Sequence, residues 1–261
     1  MRQKRGENPA LPTRTKHPGP YERMVIAMKT MIEFQSVTKE YDIGDHVLKA
    51  VDNISFSIDE GEFVVILGPS GAGKSTVLNL LGGMDYASSG SIVVNGQDIV
   101  GLKDDALTEY RAKNVGFVFQ FYNLIPTLTA LENIALTKNI VKNPIDAREI
   151  LSLVGLADHG GQFPAQLSGG EQQRVSIARA VAKNPAVLLC DEPTGALDSD
   201  TGAVVLTLLQ KMSRERRKTV IIVTHNAVLA ETADKVIRIK NGKIREIVLN
   251  KNPKSISEVA W

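Results

Sequence analysis

Gly68-Pro69-Ser70-Gly71-Ala72-Gly73-Lys74-Ser75 is a run of residues suited to wrapping an anion. It matches the pattern G-x-x-x-x-G-K-[ST] in full. Its glycines let the chain curl so that successive backbone N–H groups point inward, toward phosphate oxygens. A helical pattern from Lys74 to Leu81 follows at once, and a helix N-terminus adds a favourable dipole and unpaired donors. Lys74 is placed to reach the β- and γ-phosphates of a nucleoside triphosphate, the Ser75 hydroxyl to ligate Mg²⁺, and Thr76 to meet the α-phosphate side. The loop reads as triphosphate binding and leaves the purpose open.

A second candidate anion site follows. Leu167-Ser168-Gly169-Gly170-Glu171-Gln172-Gln173-Arg174 sets a hydroxyl and two flexible residues at the start of another helical pattern. This octet resembles the signature of ABC-type ATPases almost residue for residue. The resemblance implies that Ser168, Gly169 and Gly170 serve the nucleotide of a second copy, with two ATP molecules sandwiched in a head-to-tail dimer. It extends over residues 32–247. Ala186-Val187-Leu188-Leu189-Cys190-Asp191-Glu192 is an apolar run closed by two acids and resembles the Walker B strand. By that likeness Asp191 holds Mg²⁺, and Glu192 is the general base, a role typically worth ~10²–10⁴ in rate.

Further residues fall into the same pattern. Gln120 resembles the Q-loop glutamine, which senses the γ-phosphate, joins Ser75 and Asp191 at the metal, and borders the permease contact. Ala196-Leu197-Asp198 resembles the D-loop that crosses the dimer interface. His225 closes a Val-Ile-Ile-Val-Thr strand, as the family's switch histidine does. Tyr41 resembles the aromatic residue that stacks on adenine. The implied catalytic set is Lys74, Gln120, Glu192 and His225, with ATP and Mg²⁺ as cofactors.

The elements that must position these residues are legible in outline. Ile32–Val37 and Ala50–Ile58 alternate as strands around a turn containing Gly44. Glu62–Leu67 is short and almost wholly apolar, as a strand buried on both faces requires. Ser91–Val94 and Gln97–Ile99 flank Asn95-Gly96, a hairpin signal. Val115–Phe119, Val187–Cys190 and Thr219–Val223 read as strands; Lys235–Lys240 and Lys243–Leu249 form a closing hairpin. Leu128–Ile140, Ile145–Val154 and Gly170–Ala182 read as helices, with Pro144 interrupting. Strands alternating with helices predict an α/β fold with a parallel sheet. The resemblance refines this to a P-loop NTPase core, an N-terminal antiparallel β subdomain and an α-helical subdomain inserted at about 124–182. The expected domains are a disordered basic tail at 1–30, the ATPase domain at 31–250 and a C-terminal tail at 251–261.

Composition excludes several classes. The chain has 261 residues, 43% of them hydrophobic, and a net charge of +2, so it can fill a core and is not bulk-disordered. Residues 1–27 are basic and the remainder slightly acidic, which argues against a nucleic-acid partner. Cys190 stands alone, as suits a reducing compartment, and no apolar run approaches the ~18 residues of a membrane helix. The expected setting is cytoplasmic, peripheral on the inner face of the cell membrane. Several stretches, Asn114–Leu124, Thr129–Ile134 and Asp191–Asp198, resemble the lipoprotein-release and macrolide-export ATPases (LolD, MacB and FtsE type). That likeness implies a permease partner with a large extracytoplasmic domain and a role in export or extraction. The alternative is an FtsE-like regulatory ATPase that transmits mechanical work without moving a substrate. A P-loop kinase or GTPase would lack the signature octet, and a ribosome-binding relative would carry two cassettes.

Overall fold

Strand β3 (Phe63–Leu67) is buried at every position, and its neighbours in the sheet are nearly as dry. The computed structural model describes residues 29–141 and 143–259. Strands β6 (Val115–Val118), β7 (Val187–Asp191), β8 (Thr219–Thr224), β9 (Lys235–Lys240) and β10 (Lys243–Leu249) join β3 in one sheet, in the order β10-β9-β3-β8-β7-β6. All adjacent pairs are parallel except β9 with β10. The apolar runs are continuous because both faces are covered. Phe63, Val65 and Leu67 enter one core, while Val64 and Ile66 enter the other.

The first core lies under the helices α3 (Ala130–Ala135), α4 (Ala147–Leu153), α5 (Gly169–Ala182) and α6 (Ser199–Arg216). The second is closed by α1 (Lys74–Leu81) and a separate antiparallel sheet of β1 (Thr30–Ile43), β2 (His46–Asp59), β4 (Ser89–Val94) and β5 (Gln97–Asp98), ordered β2-β1-β4-β5. Phe34 and Phe56 stack across β1 and β2 with centroids 4.4 Å apart. The basic tail expected at 1–30 lies outside the described residues but for Lys29 and Thr30, and Thr30 already opens β1.

The structure corrects two local expectations and adds two features that the sequence reading did not address. The first hairpin is far longer than the alternation implied, its strands meeting at Ile43 opposite His46. Residues 41–49 are exposed throughout, so no buried face marked them as strand. Helix α2 (Asp104–Asn114) has no forerunner in the sequence reading, since it buries only Leu107 and Tyr110. The helical lobe is more broken than expected. After α3, residues 136–139 tighten into a 3₁₀ turn, and α4 starts only at Ala147, capped by the Asp146 carboxylate. Pro144 lacks an N–H and disfavours helical geometry before it. The expected C-terminal tail is seated over residues 251–259. Ile256 is fully buried against the helical core, and Gln210 of α6 bonds Lys254 O at 3.0 Å and the Ile256 N–H at 3.2 Å.

Truncating that seated side chain tests the last point. Ile256→Ala is expected to cost about 2–3 kcal/mol, read as a lower urea midpoint with an unchanged slope. Lys251→Ala, at an exposed position, is expected to leave the midpoint within about 0.5 kcal/mol.

Candidate active site

The loop after β3 is pressed against its surroundings at two glycines. A Cβ at Gly68 would lie 2.3 Å from Ile239 O, and one at Gly73 would lie 2.2 Å from Ala50 O, with φ of +100° at Gly73. Any side chain at either position would push the loop off the sheet. Lys74 is nearly buried and donates to Pro69 O at 3.1 Å, inside the loop's own curl. Helix α1 begins at Lys74 with no side-chain cap and no acid in its first turn, which leaves its positive end facing the loop. The turn Asn241-Gly242 closes the far side, the Gly242 N–H donating to Ala72 O at 2.9 Å.

Asp191 ends β7 beside this loop, where its Oδ1 accepts from Ser75 Oγ at 3.2 Å. Burial pushes the Asp191 carboxyl above its ordinary range; the Ser75 hydrogen bond works against that and the adjacent Glu192 reinforces it. The nearby Lys74 charge also pulls the carboxyl down, but burial outweighs it. Glu192 has a φ of +46°, a left-handed backbone that non-glycine residues rarely adopt. Its N–H is tied to Val223 O at 2.9 Å. Three donors from the end of β8 hold its side chain: Thr224 Oγ1 at 3.0 Å, the His225 N–H at 3.0 Å and His225 Nδ1 at 2.9 Å. The strained turn and these bonds together aim one carboxylate.

These groups line a single open cavity of about 570 Å³, shared by Ser70, Gly71, Lys74, Ser75, Gln120, Asp191, Glu192 and His225. A second cavity, of about 520 Å³, shares Gly71, Lys74 and Ser75 with the first and adds Tyr41, Gly73 and Thr76. Gly68, Pro69 and Ala72 line neither cavity; they shape the backbone behind it. Sequence reasoning missed Phe119, Phe121, Asn123 and Gly195 in the first cavity, and Leu48, Lys49, Ala50, Asn241 and Gly242 in the second. Asn241-Gly242 carried only a turn signal, and Leu48 sits in the exposed hairpin that alternation could not reveal.

Ser168, Gly169, Gly170 and Asp198 line neither cavity. Ser168 caps α5 in a reciprocal box with Glu171; its hydroxyl donates to Glu171 Oε2 at 2.8 Å. Asp198 caps α6 through the Thr201 N–H at 3.0 Å. The flanking glycines are packing requirements, since a Cβ at Gly170 would fall 2.0 Å from Thr201 Cγ2.

A phosphate loop between a parallel strand and a helix, facing two carboxylates at the end of the next-but-one strand, defines a P-loop nucleoside triphosphatase fold. Comparison narrows the class. The ABC transporter family profile matches residues 51–195. An ABC transporter ATP-binding protein of Mycoplasma genitalium is 45% identical over 89% of this chain and 51% of its own length. The macrolide export ATP-binding/permease protein MacB of Escherichia coli is 44% identical over 89% of this chain and 36% of its own. MJ0796 of Methanocaldococcus jannaschii is 44% identical over 82% of this chain and 95% of its own. A dimeric structure of that cassette in a post-hydrolysis state, bound to ADP and Pi, superposes with a TM-score of 0.78 at 41% identity, covering 85% of this chain and all of the other. The chain belongs to the ABC transporter family and carries its ATP-binding ATPase fold. It spans about half the length of the Mycoplasma relatives it matches.

The raised carboxyl of Asp191 makes a signed prediction. Its folded value lies above the unfolded one, so at neutral pH ionising it costs native stability. Asp191→Asn is therefore expected to raise the melting temperature of the nucleotide-free protein by roughly 1–2 °C at pH 7. The gain fades as pH falls through the raised value, where Asp191 is itself neutral. Calorimetric scans across pH 4–8 check both sign and window; the range is about that of carboxylate titration.

Proposed function

We propose that this chain binds ATP across the two joined cavities, phosphates at the loop and base toward Tyr41, and hydrolyses it with Glu192 as the base. The observation that carries the reading is the convergence of Ser75 and Asp191 at 3.2 Å in the same cavity as a Glu192 carboxylate aimed by Thr224 and His225. In this reading the backbone of residues 68–75 and Lys74 hold the β- and γ-phosphates. Among the described residues no cluster of His, Cys, Asp or Glu could hold an ion alone. A hydroxyl, one carboxylate and an amide oxygen from Ser75, Asp191 and Gln120 suit Mg²⁺, which takes a few protein oxygens together with substrate phosphates. When bound, Mg²⁺ neutralises phosphate charge. Glu192 takes the proton of the attacking water, and the bonds from Thr224 and His225 keep its carboxylate in place. With Nδ1 donating to Glu192, His225 can donate from Nε2 to the γ-phosphate only as the imidazolium, in which both ring nitrogens carry protons.

The Ser168 loop and Asp198 acquire a role in a head-to-tail pair. A second copy would bring its own Ser168, Gly169 and Gly170 to the γ-phosphate from the open side of the cavity, and Asp198 to the interface. The dimeric MJ0796 cassette with ADP and Pi supports this arrangement. No helix among the described residues is long and apolar enough to cross a membrane. We assign bilayer crossing to a permease partner with a large extracytoplasmic domain, the chain acting on its cytoplasmic face. The likeness to MacB supports export or extraction as the work done.

The test is light scattering on Glu192→Gln protein with and without Mg-ATP. The expected result is retained ATP binding, turnover slowed about 10²–10⁴-fold, and a shift from monomer to dimer. A monomer at every concentration, even with the permease present, would overturn the shared-site assignment of Ser168. Rapid turnover by the same variant would remove Glu192 as the base.

A further inference from the structure

Tyr41 stands in the part of the first hairpin that has no buried face, where residues 41–49 are all exposed. Its ring is nonetheless fixed at two points. The Tyr41 hydroxyl donates to Asp85 Oδ2 at 2.6 Å, and Lys39 Nζ donates to Asp85 Oδ1 at 2.6 Å. The same ammonium sits 4.7 Å from the Tyr41 ring centroid, a cation over an aromatic face. Lys39 and Asp85 are mostly covered, with side chains 12% and 24% exposed. Tyr41 lines the second cavity, and neither Lys39 nor Asp85 does. The cation thus sits over the Tyr41 ring without itself lining the cavity. Leu48, directly opposite Tyr41 across the strand pair, lines the cavity beside it.

Asp85 is itself well anchored. Its Oδ1 also accepts from the Tyr86 N–H at 2.7 Å, and Lys39 Nζ also donates to Tyr86 O at 2.9 Å. Burial raises the Asp85 carboxyl, but the hydrogen bonds from Lys39, Tyr41 and Tyr86 outweigh it and hold the group below its ordinary range. Asp85 lies just beyond the C-terminal end of α1, the helix that starts at Lys74. Helix α1, about 12 Å long, carries Lys74 at its start, and the Asp85 anchor follows its end after Gly82, Gly83 and Met84.

We propose that Lys39 and Asp85 are positioning residues for the base of the bound nucleotide: Lys39 backs the Tyr41 ring, and Asp85 ties it to the segment that follows α1. This rests on the reading of Tyr41 as the residue that meets the base. The two residues act only through Tyr41, so they govern the base and not the phosphates.

The experiment is calorimetric titration of the full chain with ADP and with inorganic pyrophosphate, which share the diphosphate and differ in the nucleoside. Tyr41→Ala is expected to weaken ADP about 5- to 50-fold, the range of base–aromatic stacking, and to leave pyrophosphate unchanged. Asp85→Ala and Lys39→Met are each expected to weaken ADP about 3- to 10-fold with pyrophosphate unchanged. Either substitution added to Tyr41→Ala is expected to change nothing more. If Tyr41→Ala weakens ADP while Asp85→Ala and Lys39→Met do not, the positioning role is wrong and the base site stands. If Tyr41→Ala leaves ADP binding intact, the base-site reading fails and takes this inference with it. Equal losses for ADP and pyrophosphate in both the Asp85 and Lys39 variants would assign them to general folding and overturn the proposal.

Discussion

Parallel registration of three buried strands is the constraint on which the rest of the molecule depends. Leu67 pairs with Thr224, and Asp191 with Val223, so β3, β8 and β7 end at one level of the sheet. The phosphate loop leaves from the first, Thr224 and His225 close the second, and Asp191 and Glu192 close the third. Each strand is packed on both faces, which forbids sliding. A one-residue slip would exchange the two faces of a strand and carry Asp191 away from Ser75. The chemistry is positioned by dry β-sheet, and the cavity is what remains beyond its edge.

The site is unevenly stiff. At the phosphate end every group hangs from the central sheet or from α1, and the glycines at 68 and 73 are held within atomic contact of neighbouring backbone. At the Tyr41 end the hairpin stands in solvent, and its order comes from polar contacts: the Lys39–Asp85 pair, the Tyr41 hydroxyl and the strand ladder itself. This division suits a site whose phosphate geometry must be accurate for reaction while the base serves binding. It also places Ser168 and Asp198, which we propose face a second copy, at helix starts, where capping orders them.

Much of the site was legible because its pieces are contiguous. The phosphate loop is eight successive residues, and Asp191-Glu192 follows an unbroken apolar run, so one stretch of chain states both the element and its chemistry. The strands of the parallel sheet were legible for the same reason: burial on both faces writes a continuous apolar word. Helix α2 and the outer part of the hairpin were not legible. Leu107 and Tyr110 are a stripe too thin to show a period, and an exposed strand has no buried face to alternate against. The seat of Ile256 was hidden because a single apolar residue in a polar segment carries no periodicity. It is buried by α6, a distant element.

By itself the sequence determined which residues are candidates for the chemistry, that most of them sit at the ends of buried strands and the starts of helices, and that a second helix start resembles an anion site. Those are properties of short stretches, where side-chain type and local backbone preference suffice. Only the tertiary structure decided who meets whom. It brought Ser75 to Asp191, hooked Glu192 onto His225, tied Tyr41 to Asp85, and left Ser168 outside the cavity its own chain forms. These contacts join residues far apart in sequence through the packing of two sheets against shared helices, and no local preference encodes a distance across a core.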